Sequence, residues 1–183
     1  MHRFVTICLL LALSSFFVRA QELVQGTFGS LNNIYVATVQ FDFSQAKVEE
    51  VPFEDFVGLL AFEDGSKFRE AFDKDINDIL IDFIEEFNDT NCLMLLTVSP
   101  NPETVLTIKV KEISRKGNSV SCDYIITNKP DSNPIVIISM ASKDGRVGSF
   151  TNLMGDAFEK AGKDLGKYLK KQLKDANKKQ KNK

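Results

Sequence analysis

The sequence contains no tryptophan and a single histidine, and both scarcities exclude chemistry. The histidine is His2, inside a leader-like stretch, so a chain processed behind Ala20 has none. Serine–histidine and cysteine–histidine catalysis then lack their base, and histidine-ligated metal sites lack their ligands. Tyrosine is scarce too, 3 residues against 15 phenylalanines. That balance favours aromatic packing over a sugar-stacking platform, although phenylalanine rings can also stack. Of 3 cysteines, Cys8 falls in the leader, leaving Cys92 and Cys122. In an exported chain these either bond, if their strands lie side by side, or persist as buried thiols. No repeat or low-complexity linker interrupts the chain, and its length suits one domain with a real core.

Met1–Ala20 reads as an export signal. His2 and Arg3 form a short basic start, Phe4–Leu13 is almost wholly apolar, and Val18-Arg19-Ala20 places small residues at the −3 and −1 positions of a cleavage before Gln21. The apolar run is too short to span a bilayer core of ~30 Å, and Arg19 interrupts it. Val5-Thr6-Ile7 lacks the small residue expected ahead of an acylated cysteine, so Cys8 is not expected to be a lipoprotein site. The expectation is a periplasmic or secreted protein with no membrane span after signal removal.

Charge is divided along the chain. Without the leader, 21 basic residues (23 less Arg3 and Arg19) face 25 acidic ones, a formal −4. From Lys160 to Lys183 ten lysines face Asp164 and Asp175, a formal +8. Lys170, Lys171, Lys174, Lys178 and Lys179 are therefore candidates for contact with an anionic surface, the alternative being a solvated end that keeps the domain soluble. With no arginine in this run, and no aromatic residue after Tyr168, nucleic acid is not an expected partner.

Periodicity predicts the elements between these ends. Ile34–Phe43 is β-branched and aromatic and reads as the first strand, after a polar lead-in over Gln21–Asn33. Apolar residues after Pro52 suggest a short helix. Ser66–Asn88 reads as a long amphipathic helix with Phe68, Phe72, Ile76, Ile79, Leu80, Phe83, Ile84 and Phe87 on its buried stripe and Ser66 as candidate cap. Cys92–Val98 is a continuous apolar run, the pattern of a buried strand. Val105–Ile113 alternates, with Leu106, Ile108, Val110 and Glu112 on one side and Thr107, Lys109, Lys111 and Ile113 on the other. Val120–Thr127 returns as its hairpin partner, and Ile135–Met140 is another buried strand. The closing segment Ser149–Leu173 has apolar residues at three- and four-residue steps, with Gly155, Gly162 and Gly166 among them. A helical glycine costs ~1 kcal/mol against alanine, so these glycines predict close packing, and Gly166→Leu should destabilise the fold.

The expected fold is α+β: a mixed, mostly antiparallel sheet of about five strands packed with two long amphipathic helices, in the order β-α-β-β-β-β-α. The domain is set at 21–173, with 1–20 as signal and 174–183 as a disordered basic tail. The stretches FDFSQAKVEEVPFEDF, TVLTIKVKEIS and GSFTNLMGDAFEKAGKDLGKYLKK resemble an uncharacterised family of small exported proteins from Gram-negative, Bacteroides-type bacteria. The order of elements is more remotely similar to the amino-terminal domains of the curli-assembly lipoprotein and TolB. Neither resemblance supplies catalytic residues or a cofactor.

Three further constellations carry polar chemistry. Asp78, Asp82, Glu85, Glu86 and Asp89 lie along the outer side of the first long helix, a solvated face rather than a wrapped ion site. Ser142–Ser149 precedes a helix and lacks the phosphate-loop pattern, so a tight turn capped by Ser149 or Thr151 is expected. Asp42, Ser44 and Asp55 sit near a strand end without a nucleophile–base pattern. The function expected is a non-enzymatic binding or assembly module of the envelope or cell exterior, contacting another protein or an anionic surface. The alternative is a carrier of a small ligand or carbohydrate, with Phe41, Phe43, Phe53 and Phe56 lining a pocket. A carboxylate-only hydrolase stands third.

Overall fold

The structure, a computed structural model, describes residues 21–65, 67–128 and 133–181. The leader Met1–Ala20 and the candidate cap Ser66 lie outside them. The elements begin with β1 (Glu22–Gly26), a 3-10 turn (Phe28–Leu31), β2 (Val36–Asp42), β3 (Lys47–Val48) and β4 (Val51–Pro52). Helices α1 (Phe53–Asp64) and α2 (Phe68–Asp89) follow, then β5 (Leu95–Thr97), β6 (Thr104–Ile113), β7 (Ser119–Asn128), β8 (Pro134–Lys143) and α3 (Phe150–Lys181).

The fold is α+β, but among the described residues it has three helices and an open mixed sheet of eight strands rather than two helices and about five strands. The sheet runs β1-β8-β7-β6-β2-β5, with β3 and β4 continuing beside β6. β2 is parallel to both β5 and β6, and β3 is parallel to β6; β6, β7, β8 and β1 are antiparallel neighbours. The extra strands escape sequence periodicity because β3 and β4 are two residues each and β1, ELVQG, is a mostly exposed edge. The helical stretch divides at Gly65, whose φ of 95° ends α1 in a conformation that favours glycine.

One face of the sheet is covered and the other is open. Leu106, Ile108 and Val110 of β6, Val120, Cys122, Tyr124 and Ile126 of β7, and Val136, Ile138 and Met140 of β8 are buried under the helices. A β-bulge falls between Val110 and Glu112 and changes the expected alternation. Past it Ile113 is buried and Glu112 exposed, because the extra residue reverses which side faces the core. Burying an isoleucine there is worth about 2 kcal/mol, whereas burying an unpaired glutamate would cost more than that.

Helices α2 and α3 lie side by side and run the same way, since Gly155 lies beside Ile79, Gly162 beside Phe83 and Gly166 beside Phe87 and Thr90. A Cβ on Gly162 would sit 2.3 Å from the Phe83 carbonyl oxygen, and one on Gly166 would sit 2.5 Å from Thr90 Oγ1. Both glycines therefore serve close helix packing. Gly155 does not, because the nearest atom is 3.6 Å away. Ser149 Oγ accepts the Asn152 N–H at 3.2 Å and caps α3. The helix continues to Lys181 rather than giving way to a disordered tail at 174. Leu173 is buried, and the lysines, glutamine and alanine beyond it are good helix formers whose positive charge suits a helix C-terminus.

Candidate functional site

The four phenylalanines expected to line a pocket are engaged with other rings. Phe43 stacks on Phe53 at 4.6 Å, Phe41 meets Phe43 at 5.2 Å and Phe158 at 4.8 Å, and Phe53 meets Phe72 at 6.0 Å. Phe56 lies apart, against Phe150 at 4.9 Å. The space left beside this cluster is a cleft of about 280 Å³ rimmed by Phe43, Phe53, Phe72 and Ile76. Arg69 and Glu54 form an ion pair of 2.8 Å on the same rim.

Three of the five candidate lysines share one hollow. Lys170, Lys171 and Lys174, with Lys167, line a depression of about 560 Å³ closed by Asp89, Thr90 and Asn91 at the end of α2. Lys170 Nζ donates to the Thr90 carbonyl at 2.8 Å, covering a carbonyl left over at the helix terminus. Asn91, with φ of 54°, turns the chain sharply out of α2 and forms the far wall. Four ammonium groups therefore face one carboxylate. Lys178 and Lys179 are exposed about one turn beyond Lys174 on α3.

Next to that basin lies a surface that the apolar composition of Cys92–Val98 concealed. The segment alternates: Cys92, Met94 and Leu96 are buried while Leu93 and Leu95 are more than half exposed. Val36 pairs in register with Leu95, and the Leu95 N–H donates to the Tyr35 carbonyl at 2.8 Å. Val36 and Leu95 thus lie side by side as an exposed apolar pair, with exposed Tyr35, Leu93 and Val98 flanking them in the chain. Beside it opens a hollow of about 880 Å³ lined by Tyr35, Val36, Leu95, Asn101 and Glu103 among others. The free edge of β5 is closed by a side chain. Asn88 Oδ1 accepts the Leu96 N–H at 2.9 Å, and Asn88 Nδ2 donates to the Leu96 carbonyl at 3.0 Å. A side-chain amide thereby takes the place of a neighbouring strand at that residue.

Other polar clusters are self-satisfied or repulsive. On the open sheet face, Lys111 Nζ lies 2.6 Å from Asp123 Oδ1 and 2.7 Å from Ser139 Oγ, and the Ser139 hydroxyl donates to Asp123. The three side chains satisfy one another across β6, β7 and β8, so the trio works as a cross-strand link. Between α2 and α3, Asp75, Asp78 and Asp82 face Asp156 and Glu159 across a groove of about 350 Å³. Partial burial, followed by the charges of Glu86, Asp156 and Asp82, raises the Glu159 pKa. Lys163 bridges the two helices to Glu86 at 2.9 Å. No group of three or more ligating side chains among the described residues is placed to hold a metal ion.

The remaining candidates resolve locally. Asp42 Oδ1 accepts the Ser44 N–H at 2.9 Å, and hydrogen bonds from Ser44 hold its carboxyl below the usual range. Asp55 sits in the first turn of α1, where a carboxylate suits the helix dipole. In the Ser142–Ser149 turn, Asp144 accepts the Gly145 N–H at 2.7 Å, and the Asp156 carboxylate crowds Gly145, which disfavours an anion there. Cys92 and Cys122 are free and buried. Burial raises the pKa of both thiols, that of Cys122 to about 12, so neither is a thiolate nucleophile at neutral pH. Among the described residues no helix is long and apolar enough to cross a membrane.

Compared with known proteins, the sequence matches no family model and no curated relative.

Proposed function

We propose that this chain is an exported, non-enzymatic binding module of the envelope or cell exterior, and that it works through the end of the molecule where the apolar corner meets the lysine basin. The observation that carries the reading is the exposed, register-paired Val36 and Leu95 with exposed Tyr35, Leu93 and Val98 flanking them in the chain. Leaving five such side chains in water forgoes burial worth about 1.5–3 kcal/mol for each of the larger ones, which a contact surface would recover. Elsewhere, exposed apolar residues are sparser: Leu59 and Phe62 on α1, with Val24, Val51, Ile81 and Val147 at separate positions. A carrier pocket lined by Phe41, Phe43 and Phe53 would need the space that these rings already fill. The remaining 280 Å³ lies at the lower limit of small-molecule sites.

The test is a photo-crosslinking side chain placed singly at Leu93, at Phe62 and at Gln40 of the open sheet face, with the protein exposed to whole envelope material. Adducts are expected from Leu93 and not from the other two positions. Adducts from Phe62 or Gln40 with none from Leu93 would overturn the reading.

A further inference from the structure

We infer that the partner met by this end of the molecule is an anionic lipid surface. The inference rests on the binding-module reading above and names the chemistry of its partner. The basin holds Lys167, Lys170, Lys171 and Lys174, and among the described residues Lys170 is engaged, through the Thr90 carbonyl. Leu93 follows two residues after Asn91 of the basin wall, so the exposed start of the segment leading into β5 adjoins the lysines. Cationic side chains and exposed apolar ones therefore share one end of the fold.

Two features favour lipid over an acidic protein. Arginine is enriched and lysine depleted at protein–protein interfaces, because arginine makes fixed bidentate contacts. Here every cation is a lysine, and the arginines among the described residues, Arg69, Arg115 and Arg146, lie in other parts of the fold. Lysines on flexible stems suit headgroups whose positions are fluid, reaching phosphates while their methylenes lie along apolar material. The second feature is the kind of apolar residue displayed. Leu93, Leu95 and Val98 with Tyr35 combine aliphatic side chains with an amphipathic ring, as interfacial segments do at the headgroup boundary. The edge of β5 is unsuited to receive a partner strand, since Asn88 occupies the Leu96 N–H and carbonyl. Recognition thus falls to side chains.

The experiment is sedimentation of the full chain with vesicles of phosphatidylcholine alone and of phosphatidylcholine mixed with phosphatidylglycerol. Each variant is compared with the same full chain on the same vesicles, so the basic start and the apolar stretch Phe4–Leu13 cancel in those comparisons. Binding to the mixed vesicles, weakened by salt, is expected to exceed binding to the neutral ones. The triple variant Lys167→Ala/Lys171→Ala/Lys174→Ala should lose about fivefold per lysine, roughly a hundredfold together, and the corresponding triple arginine variant should retain binding. Leu93→Asn/Leu95→Asn should weaken binding with no change in charge. All of these side chains are exposed, and a melting curve for each variant checks that it folds. Equal binding to both lipid types, or indifference to the triple alanine variant, would overturn the proposal. So would capture of soluble polyglutamate without vesicle binding, which assigns an acidic protein, and so would self-association through this face. Adducts at Leu93 made only with protein would leave the working surface standing while the lipid proposal fails.

Discussion

Gly162→Ala should destabilise the protein even though alanine is the better helix former. The added Cβ would lie 2.3 Å from the Phe83 carbonyl oxygen, 3.0 Å from its carbon and 3.2 Å from the Phe83 Cα. All three are backbone atoms of α2, so no rotamer change relieves the clash; one helix must move. α3 is held on its other side by Met154, Phe158, Ala161 and Leu165, all buried. Overpacking of this kind costs about 1–3 kcal/mol, occasionally more, and the backbone obstacle places it at the upper end. Against it stands a propensity gain of ~1 kcal/mol. The net loss is about 2 kcal/mol, or roughly 4–8 °C in Tm for a domain of this size. Gly155→Ala provides the contrast within the same helix, because its nearest neighbours are Ile79 side-chain atoms at 3.6 and 4.0 Å. There the propensity term acts alone, and stability should rise by up to ~1 kcal/mol. Urea unfolding followed by circular dichroism measures both. Gly162→Ala at or above wild-type stability with an unchanged m-value would refute the packing account of α2 and α3.

Two further outcomes follow from local chemistry. Asn88→Ala removes both hydrogen bonds to Leu96 and should cost about 1–3 kcal/mol. It should also speed hydrogen exchange at the Leu96 amide selectively, whereas an unchanged Leu96 rate would mean the amide does not close that edge. Glu159→Gln should stabilise the fold at neutral pH, because the raised pKa means the ionised form is disfavoured in the folded state. The sign is that of a group whose favourable contribution is present in acid and lost as pH rises through its folded pKa. The advantage of glutamine should therefore vanish below the ordinary glutamate range near ~4.3, as read from pH-dependent melting; an advantage that persisted in acid would contradict this origin.

What could be read from the chain depended on how much of each residue's environment is local. The β6–β7 hairpin and the Phe72–Phe87 stripe were legible, because alternation and helical spacing survive in any two-layer fold. The role of Gly162 and Gly166 was legible as close packing, though not the partner, since the Phe83 carbonyl comes from an element almost eighty residues earlier. The exchange of Glu112 for Ile113 was not legible, because a bulge is a property of the pairing and not of one strand. The apolar corner was hidden for a similar reason. Cys92–Val98 is apolar on both sides, and Leu95 is exposed because it lies with Val36 on the sheet face that no helix covers among the described residues. The lysines were visible as a run. That Lys167, Lys170, Lys171 and Lys174 enclose a hollow depends on α3 passing the end of α2, which no spacing in the sequence records.

The most direct test of the working surface is a hydrogen-exchange footprint of the protein with and without envelope material. Protection is expected over Asn91–Val98 and the Lys167–Lys174 turns, with unchanged exchange in β7 and β8 on the open sheet face. Protection of β7 and β8 with no change over Asn91–Val98 would contradict it.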